Sequence, residues 1–196
     1  MRARFVVPVV ALLAMAPALH AQNAGAQGKA NAQARIEAAL SAATNAGIPV
    51  ELLQSKVAEG RAKGVSEVRI AAAVEARLKG LQRAAAVMQR TEVENASSAD
   101  LTVAADALEA GVSENALIKL SNSAPAERRA VAIATLTGLV QLGHASDRAL
   151  ERVSAVVRSN AELGRLNADV ASKLQRGVGK AGSRRNANAG ANIRVR

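Results

Sequence analysis

Residues 70–88 read IAAAVEARLKGLQRAAAVM, and in them Ile70, Val74, Leu78, Leu81, Ala85 and Met88 recur at steps of four, four, three, four and three. A helix turns once every 3.6 residues, so this spacing lays one apolar stripe along one face; a strand, with its period of two, would scatter it. The stretch predicts a long amphipathic helix and sets the style of the chain around it. Upstream, Ile36, Leu40 and Ala43 make a second stripe, and Leu52, Leu53 and Val57 a third. Downstream come Leu101, Ala105 and Leu108, then a short helix with Leu117 and Leu120. Residues 126–142, with Val131, Ile133, Ala134, Leu136, Leu139, Val140 and Leu142, leave little polar face and are expected at the centre. Ala149, Leu150, Val153 and Val157, then Leu163, Leu166, Val170 and Leu174, complete the series.

One kind of punctuation separates these stripes. Ala46-Gly47-Ile48-Pro49, Lys63-Gly64-Val65-Ser66, Ala110-Gly111-Val112-Ser113 and Leu142-Gly143-His144-Ala145-Ser146 each place a glycine just past a predicted helix end. Glycine takes the left-handed conformation that closes a helix with little strain. Ser66, Ser113 and Ser146 then stand where a hydroxyl can cap the next helix, and Pro49 suits a first helical position. Thr91–Ser97 (TEVENAS) breaks the pattern and is a possible internal boundary. The expected fold is all-α: a helical bundle, or a short array of helix-turn-helix units, of about seven helices over residues 29–175. A weak duplication of the two halves, aligning Gly47 with Gly111, points the same way.

The ends differ from this body. Arg2 and Arg4 precede an apolar run from Phe5 to Leu19 that closes in Ala18-Leu19-His20-Ala21. A positive head, a short apolar segment and a small residue at the cut describe a secretory signal peptide over residues 1–21. Cleavage is expected after Ala21, with Ala18 and Ala26 as alternatives, and no membrane-spanning segment is expected afterwards. Residues 22–28 (QNAGAQG) read as a flexible lead-in. Residues 176–196 carry Arg176, Lys180, Arg184, Arg185, Arg194 and Arg196 with no acid, and read as a disordered basic tail. The whole chain has a formal charge of +10, but residues 22–175 hold eighteen bases and sixteen acids. A nearly neutral body with a charged tail differs from a basic domain.

Composition excludes several chemistries. The chain has no Cys, Trp or Tyr, its one Phe is Phe5, and His144 is the sole histidine beyond residue 21. Disulfides, thiol catalysis, thiolate metal sites and a two-histidine metal site within one chain are therefore ruled out for residues 22–196. His144 lies near Asp147 but reads as an exposed turn residue. Ser97, Ser98, Ser113, Ser121 and Ser123 are read mostly as helix caps, with no nucleophile elbow around them. Glu59–Lys63, Glu75–Lys79 and Glu151 beside Arg148 and Arg152 have the spacing of solvated helix-surface pairs. No phosphate loop occurs. Catalytic, cofactor and metal sites are accordingly expected to be none.

Residues 103–117 resemble a DNA-binding helix-turn-helix. Ala107 stands four before Gly111, Val112 follows the glycine, and Leu117 falls where a second helix packs; Gly60, Gly64 and Ile70 repeat the arrangement. That second helix offers Glu114 and only Lys119 to a phosphate, and residues 96–143 hold five acids against three bases. The same turn is also how any two helices meet at an angle. The expectation is an exported, periplasmic or secreted, non-catalytic scaffold that contacts another envelope or secreted protein. Its tail bases would attach it to an anionic surface. Leu52, Leu53, Val57 and the Ile70–Met88 stripe are candidate contact residues, with burial in the core the favoured role for each. Nucleic-acid binding and a carboxylate-based enzyme are the alternatives, and sequence-specific nucleic acid is disfavoured.

Overall fold

The computed structural model describes the backbone of residues 18–191 and the side chains of residues 27–177. Among the described residues there are eight helices and no strand: α1 Ala18–Asn45, α2 Glu51–Ala62, α3 Glu67–Met88, α4 Ser98–Glu109, α5 Glu114–Ser123, α6 Ala126–Gln141, α7 Ser146–Val156 and α8 Asn160–Ala191. The all-α expectation holds, with one more helix than expected. The break at 157–159, where the Ser159 hydroxyl accepts from Glu162 N–H at 3.4 Å, separates α7 from α8.

Five of the helices, α1, α3, α4, α6 and α8, stand in a row. α1 packs on α3, α3 on α4, α4 on α6 and α6 on α8, while α2, α5 and α7 lie against them. α1 and α3 run in the same direction, Lys29 standing by Glu67 and Arg35 bonding Glu75. So do α6 and α8, with Thr135 opposite Asn167 and Gly138 opposite Val170 and Leu174. A short helix carrying the chain back between two longer ones thus recurs along the row.

All four glycine turns close as expected. Gly47 (φ +66°), Gly64 (φ +66°), Gly111 (φ +90°) and Gly143 (φ +93°) are left-handed. In each the residue after the glycine donates to a carbonyl five positions back, as in Ile48 N–H to Ala43 O at 2.9 Å and Val112 N–H to Ala107 O at 2.9 Å. The glycine N–H itself reaches three positions back, which satisfies carbonyls that a helix end leaves open. Ile48 and Val112 are buried, whereas Val65 and His144 are exposed.

The caps follow the expectation less closely. Ser113 accepts from Ala116 N–H at 3.2 Å, and Ser97 forms a reciprocal box with Asp100. Ser66 precedes α3 without a side-chain cap bond. Ser146 is the first residue of α7, and its hydroxyl instead bridges two turns: it accepts from Ser113 N–H at 3.3 Å and donates to Gly111 O at 3.4 Å. Pro49 lies before α2, its carbonyl accepting from Leu52 N–H. Ser121 bonds Met88 Sδ at 3.7 Å and Ser123 donates to Leu120 O, so neither is a cap.

The core is one apolar cluster from Ala32 to Val170, almost all Ala, Val, Leu and Ile. It spans both sides of residues 91–97, so that stretch is a turn within one packed unit. α3 buries Ile70, Val74, Leu78, Leu81 and Met88 of the predicted stripe, along with Ala71, Ala84 and Val87. α6 buries Ala132, Ile133, Leu136, Gly138 and Leu139 and touches α4, α5, α7 and α8, although Val131 stays exposed.

Close approach is allowed where side chains vanish. A Cβ built on Gly138 would lie 2.4 Å from Val170 Cγ1, and one on Gly60 would lie 2.7 Å from Ile70 Cγ1. Valine is stiff at χ1 and cannot swing aside. Gly138→Ala is therefore expected to destabilise the chain, because overpacking of about 1–3 kcal/mol outweighs a helix-propensity gain of up to about 1 kcal/mol. Gly164→Ala, where a Cβ meets nothing within 4 Å, should stabilise it instead. Urea midpoints of the two variants are expected on opposite sides of the parent's, and Val170→Ala should relieve part of the Gly138→Ala loss.

At the N-terminal end α1 already includes residues 22–28, the expected lead-in, and the first buried side chain among the described residues is Ala32. At the other end Arg176 Nε donates to Ser172 O four residues back in α8. Of the expected leader, residues 1–21, residues 1–17 lie outside the described residues.

Candidate functional site

A groove of about 900 Å³ runs between α2, α3 and α4. It exists because the helices present small residues there: Ala73, Ala76 and Gly80 from α3 and Ala105 from α4, with Leu52 and Leu108 beside them. A Cβ on Gly80 would sit 3.9 Å from that of Ala105, an ordinary contact, so α3 and α4 approach closely without interlocking. The lining holds four cations (Lys56, Arg77, Lys79 and Arg83) and three acids (Glu59, Asp106 and Glu109).

Two of those acids are already engaged. Glu59 lies between Lys63 and Lys56, and hydrogen bonds from both ammonium groups hold its carboxyl down to about 2. Asp106 takes Arg77 Nη1 at 2.5 Å. At the far end Arg83 and Arg90 share one carboxylate, Glu114, at 3.0 and 2.5 Å, and both pull its pKa down, Arg90 the more strongly. Cations outnumber acids at that end.

The Glu59 depression has a pH consequence with a definite sign. A carboxyl lowered in the folded state contributes stability that is present above its ordinary pKa and disappears as pH falls toward about 2. Carbon-detected titration of Glu59 is expected to give a midpoint near that value, and Lys63→Gln should move it up toward the usual carboxylate range. An unchanged midpoint would show that Lys63 does not hold the charge.

A second polar cluster is buried between α4 and α6. Asp100 and Arg129 pair at 3.2 Å with side chains 4% and 10% exposed, and Asp100 Oδ2 also accepts from Ser97 N–H. Asp100 Oδ1 and Arg129 Nε have no partner. Beside Arg129 opens a smaller pocket of about 340 Å³ with Glu92, Glu94 and Asn122 on its wall. Asn122 Oδ1 accepts from Glu92 N–H at 3.0 Å, tying the 91–97 turn to α5. Sequence reading missed the Asp100–Arg129 pair, since residues 29 apart carry no local signal. The one hint was Asp100 itself, three after Ser97.

Most of the candidate contact residues take the core role favoured for them. Leu53, Val57 and the Ile70–Met88 stripe are core, Ala85 being half-buried, so they are not a docking face; only Leu52 of that group lines the groove. Glu75, expected to pair with Lys79, bonds Arg35 at 2.5 and 2.8 Å and joins α3 to α1. Glu59–Lys63 forms as expected. His144 is exposed in its turn.

Of the tail bases only Arg176 has a described side chain, and it is exposed. Lys180, Arg184 and Arg185 fall within the backbone of α8 with their side chains outside the described residues; Arg194 and Arg196 lie outside altogether. No group of three or more His, Asp or Glu that could hold a metal occurs among the described residues.

In the helix-turn-helix segment, Ala107, Val112 and Leu117 are buried as the resemblance implies. The helix that would read DNA, α5, opens with Glu114, whose carboxylate is held by α3 and the residue two beyond it. No helix of the described residues is long and apolar enough to cross a membrane.

No family model, curated protein or solved structure matches the chain.

Proposed function

We propose that this chain is an exported, non-catalytic helical scaffold that binds another envelope or secreted protein and is attached to an anionic surface through its basic C-terminal end. The groove between α2, α3 and α4 carries the interaction half of this reading. It is concave and has an apolar floor with charged walls, as a protein-binding surface requires. Two of its three acids are poor candidates for general acid–base work: Glu59, held to about 2, stays ionised at neutral pH, and Asp106 is bound by Arg77. The export half is supported by residues 1–21, and attachment by the excess of bases from Arg176 onward.

Three measurements test the proposal. N-terminal sequencing of protein released by osmotic shock or recovered from the medium is expected to begin at Gln22. A photo-reactive residue at exposed Ala76 should give a cross-linked adduct of one defined mass with an envelope protein, whereas the same residue at exposed Ala134 should not. Retention on the envelope fraction should fall with salt, and fall again in a version ending at Gln175. Intact, uncleaved protein confined to the cytoplasm would overturn the reading.

A further inference from the structure

We infer that the groove between α2, α3 and α4 receives an acidic, amphipathic helical segment of a partner protein. The inference rests on the scaffold reading and names the chemistry of what that scaffold holds. A helix lying in a groove needs small residues beneath it and apolar contacts at its centre. Ala73, Ala76, Gly80 and Ala105 supply the first, while Leu52 and Leu108 supply the second.

Charge selects the sign of the occupant. Glu59 is neutralised by Lys56 and Lys63, and Asp106 by Arg77. Lys79 forms no ion pair among the described residues, and Arg83 must share Glu114 with Arg90. Glu109, on the α4 wall, also forms no ion pair among the described residues, but the α3 wall contributes Arg77, Lys79 and Arg83 and no acid, so the unspent charge along α3 is positive. It fits Glu or Asp side chains one helical turn apart.

The chain's own outlying segments do not suit the groove. Residues 1–17 carry Arg2 and Arg4, residues 178–196 carry five bases, and neither stretch holds an acid. Either would be repelled by Lys79 and Arg83. A nucleic acid is disfavoured by the apolar floor of Leu52, Ala73, Ala76, Ala105 and Leu108, which offers a phosphate backbone nothing, and by the lack of any aromatic ring in the lining to stack on a base.

The test uses purified full-length chain, so its outcome does not depend on where the protein resides. The probe is a fluorescein-labelled peptide of about 18 residues, Leu and Ala on one helical face and Glu on the other, about 27 Å long when helical. A control peptide carries Lys in place of every Glu. Anisotropy titration is expected to show saturable binding of the Glu peptide that weakens with salt, and none of the Lys peptide.

Ala76→Trp fills the groove from an exposed position and should abolish binding, with the circular dichroism spectrum unchanged. Lys79→Glu, also exposed, should weaken it about tenfold, the loss of about 1.4 kcal/mol. Three results would each overturn the inference. The first is equal binding of both peptides, which marks a merely apolar surface. The second is Glu-peptide binding that survives Ala76→Trp, which places it elsewhere, as at the basic C-terminal end. The third is no binding by either peptide. A failure here would leave export and envelope attachment standing, and a cytoplasmic location would leave this binding measurable.

Discussion

Arg129→Ala is expected to destabilise the fold by about 3–5 kcal/mol, the range found when one member of a buried ion pair is removed. Arg129 reaches from α6 to Asp100 of α4 with little solvent at either end. Taking the guanidinium away leaves the Asp100 carboxylate buried, with Ser97 N–H as its one remaining partner. That is the costly half of the exchange, since attraction in the parent only offsets desolvation. A double variant shows the difference. Asp100→Asn with Arg129→Met keeps an acceptor for the Ser97 cap while removing both charges, and it should recover most of the loss. Urea midpoints with unchanged slopes would establish this. A double variant no better than Arg129→Ala would mean that Arg129 acts by its packing.

Leu136→Ala is expected to cost about 3–5 kcal/mol, near the top of the range for large-to-small changes in a core. Leu136 is fully buried in α6, the helix touching four others. The size of the effect comes from composition. With no aromatic ring in the core and many alanines already at helix contacts, few neighbours can swing into the hole. Leu166→Ala, on a half-buried residue of α8, should cost distinctly less. Equal losses at the two sites would imply that the core collapses freely around a cavity.

The fold was legible because its signals are local. The stripe from Ile70 to Met88 and the four glycines each report on a few adjacent turns of backbone. Every one of those glycines is left-handed. A further regularity lies in residues ten apart across each turn. Ala43 and Leu53, Gly60 and Ile70, Ala107 and Leu117, and Leu139 and Ala149 each pair a small residue with a larger one. All are buried except half-buried Gly60. The fourth pair has its order reversed, which keeps the combined volume while hiding the pattern from a search for small residues before the glycine.

The site was far less legible. The groove gathers residues from α2, α3 and α4, and nothing in Lys56, Lys79 or Glu109 separately distinguishes a wall from an ordinary wet helix face. Glu75 misled for the same reason: Lys79 is its neighbour on the helix, but Arg35 on α1 reaches it with two hydrogen bonds. Caps erred where two turns met in space. Ser146 sits at a helix start by sequence, yet the Gly111 turn lies beside it and takes its hydroxyl.

The row of helices bears on how quickly the chain finds its structure. Each helix of the row packs on a neighbour no more than two elements away in sequence, so no strand-like closure of distant ends is needed. Chains dominated by such near contacts cross their folding barrier quickly, because little loop entropy is lost before contacts begin to repay it. The α1–α2–α3 and α6–α7–α8 groups each contain their own turns and a share of the apolar cluster, so either can begin to form before the other. Refolding is accordingly expected to start at more than one point and to spread along the row through α3, α4 and α6.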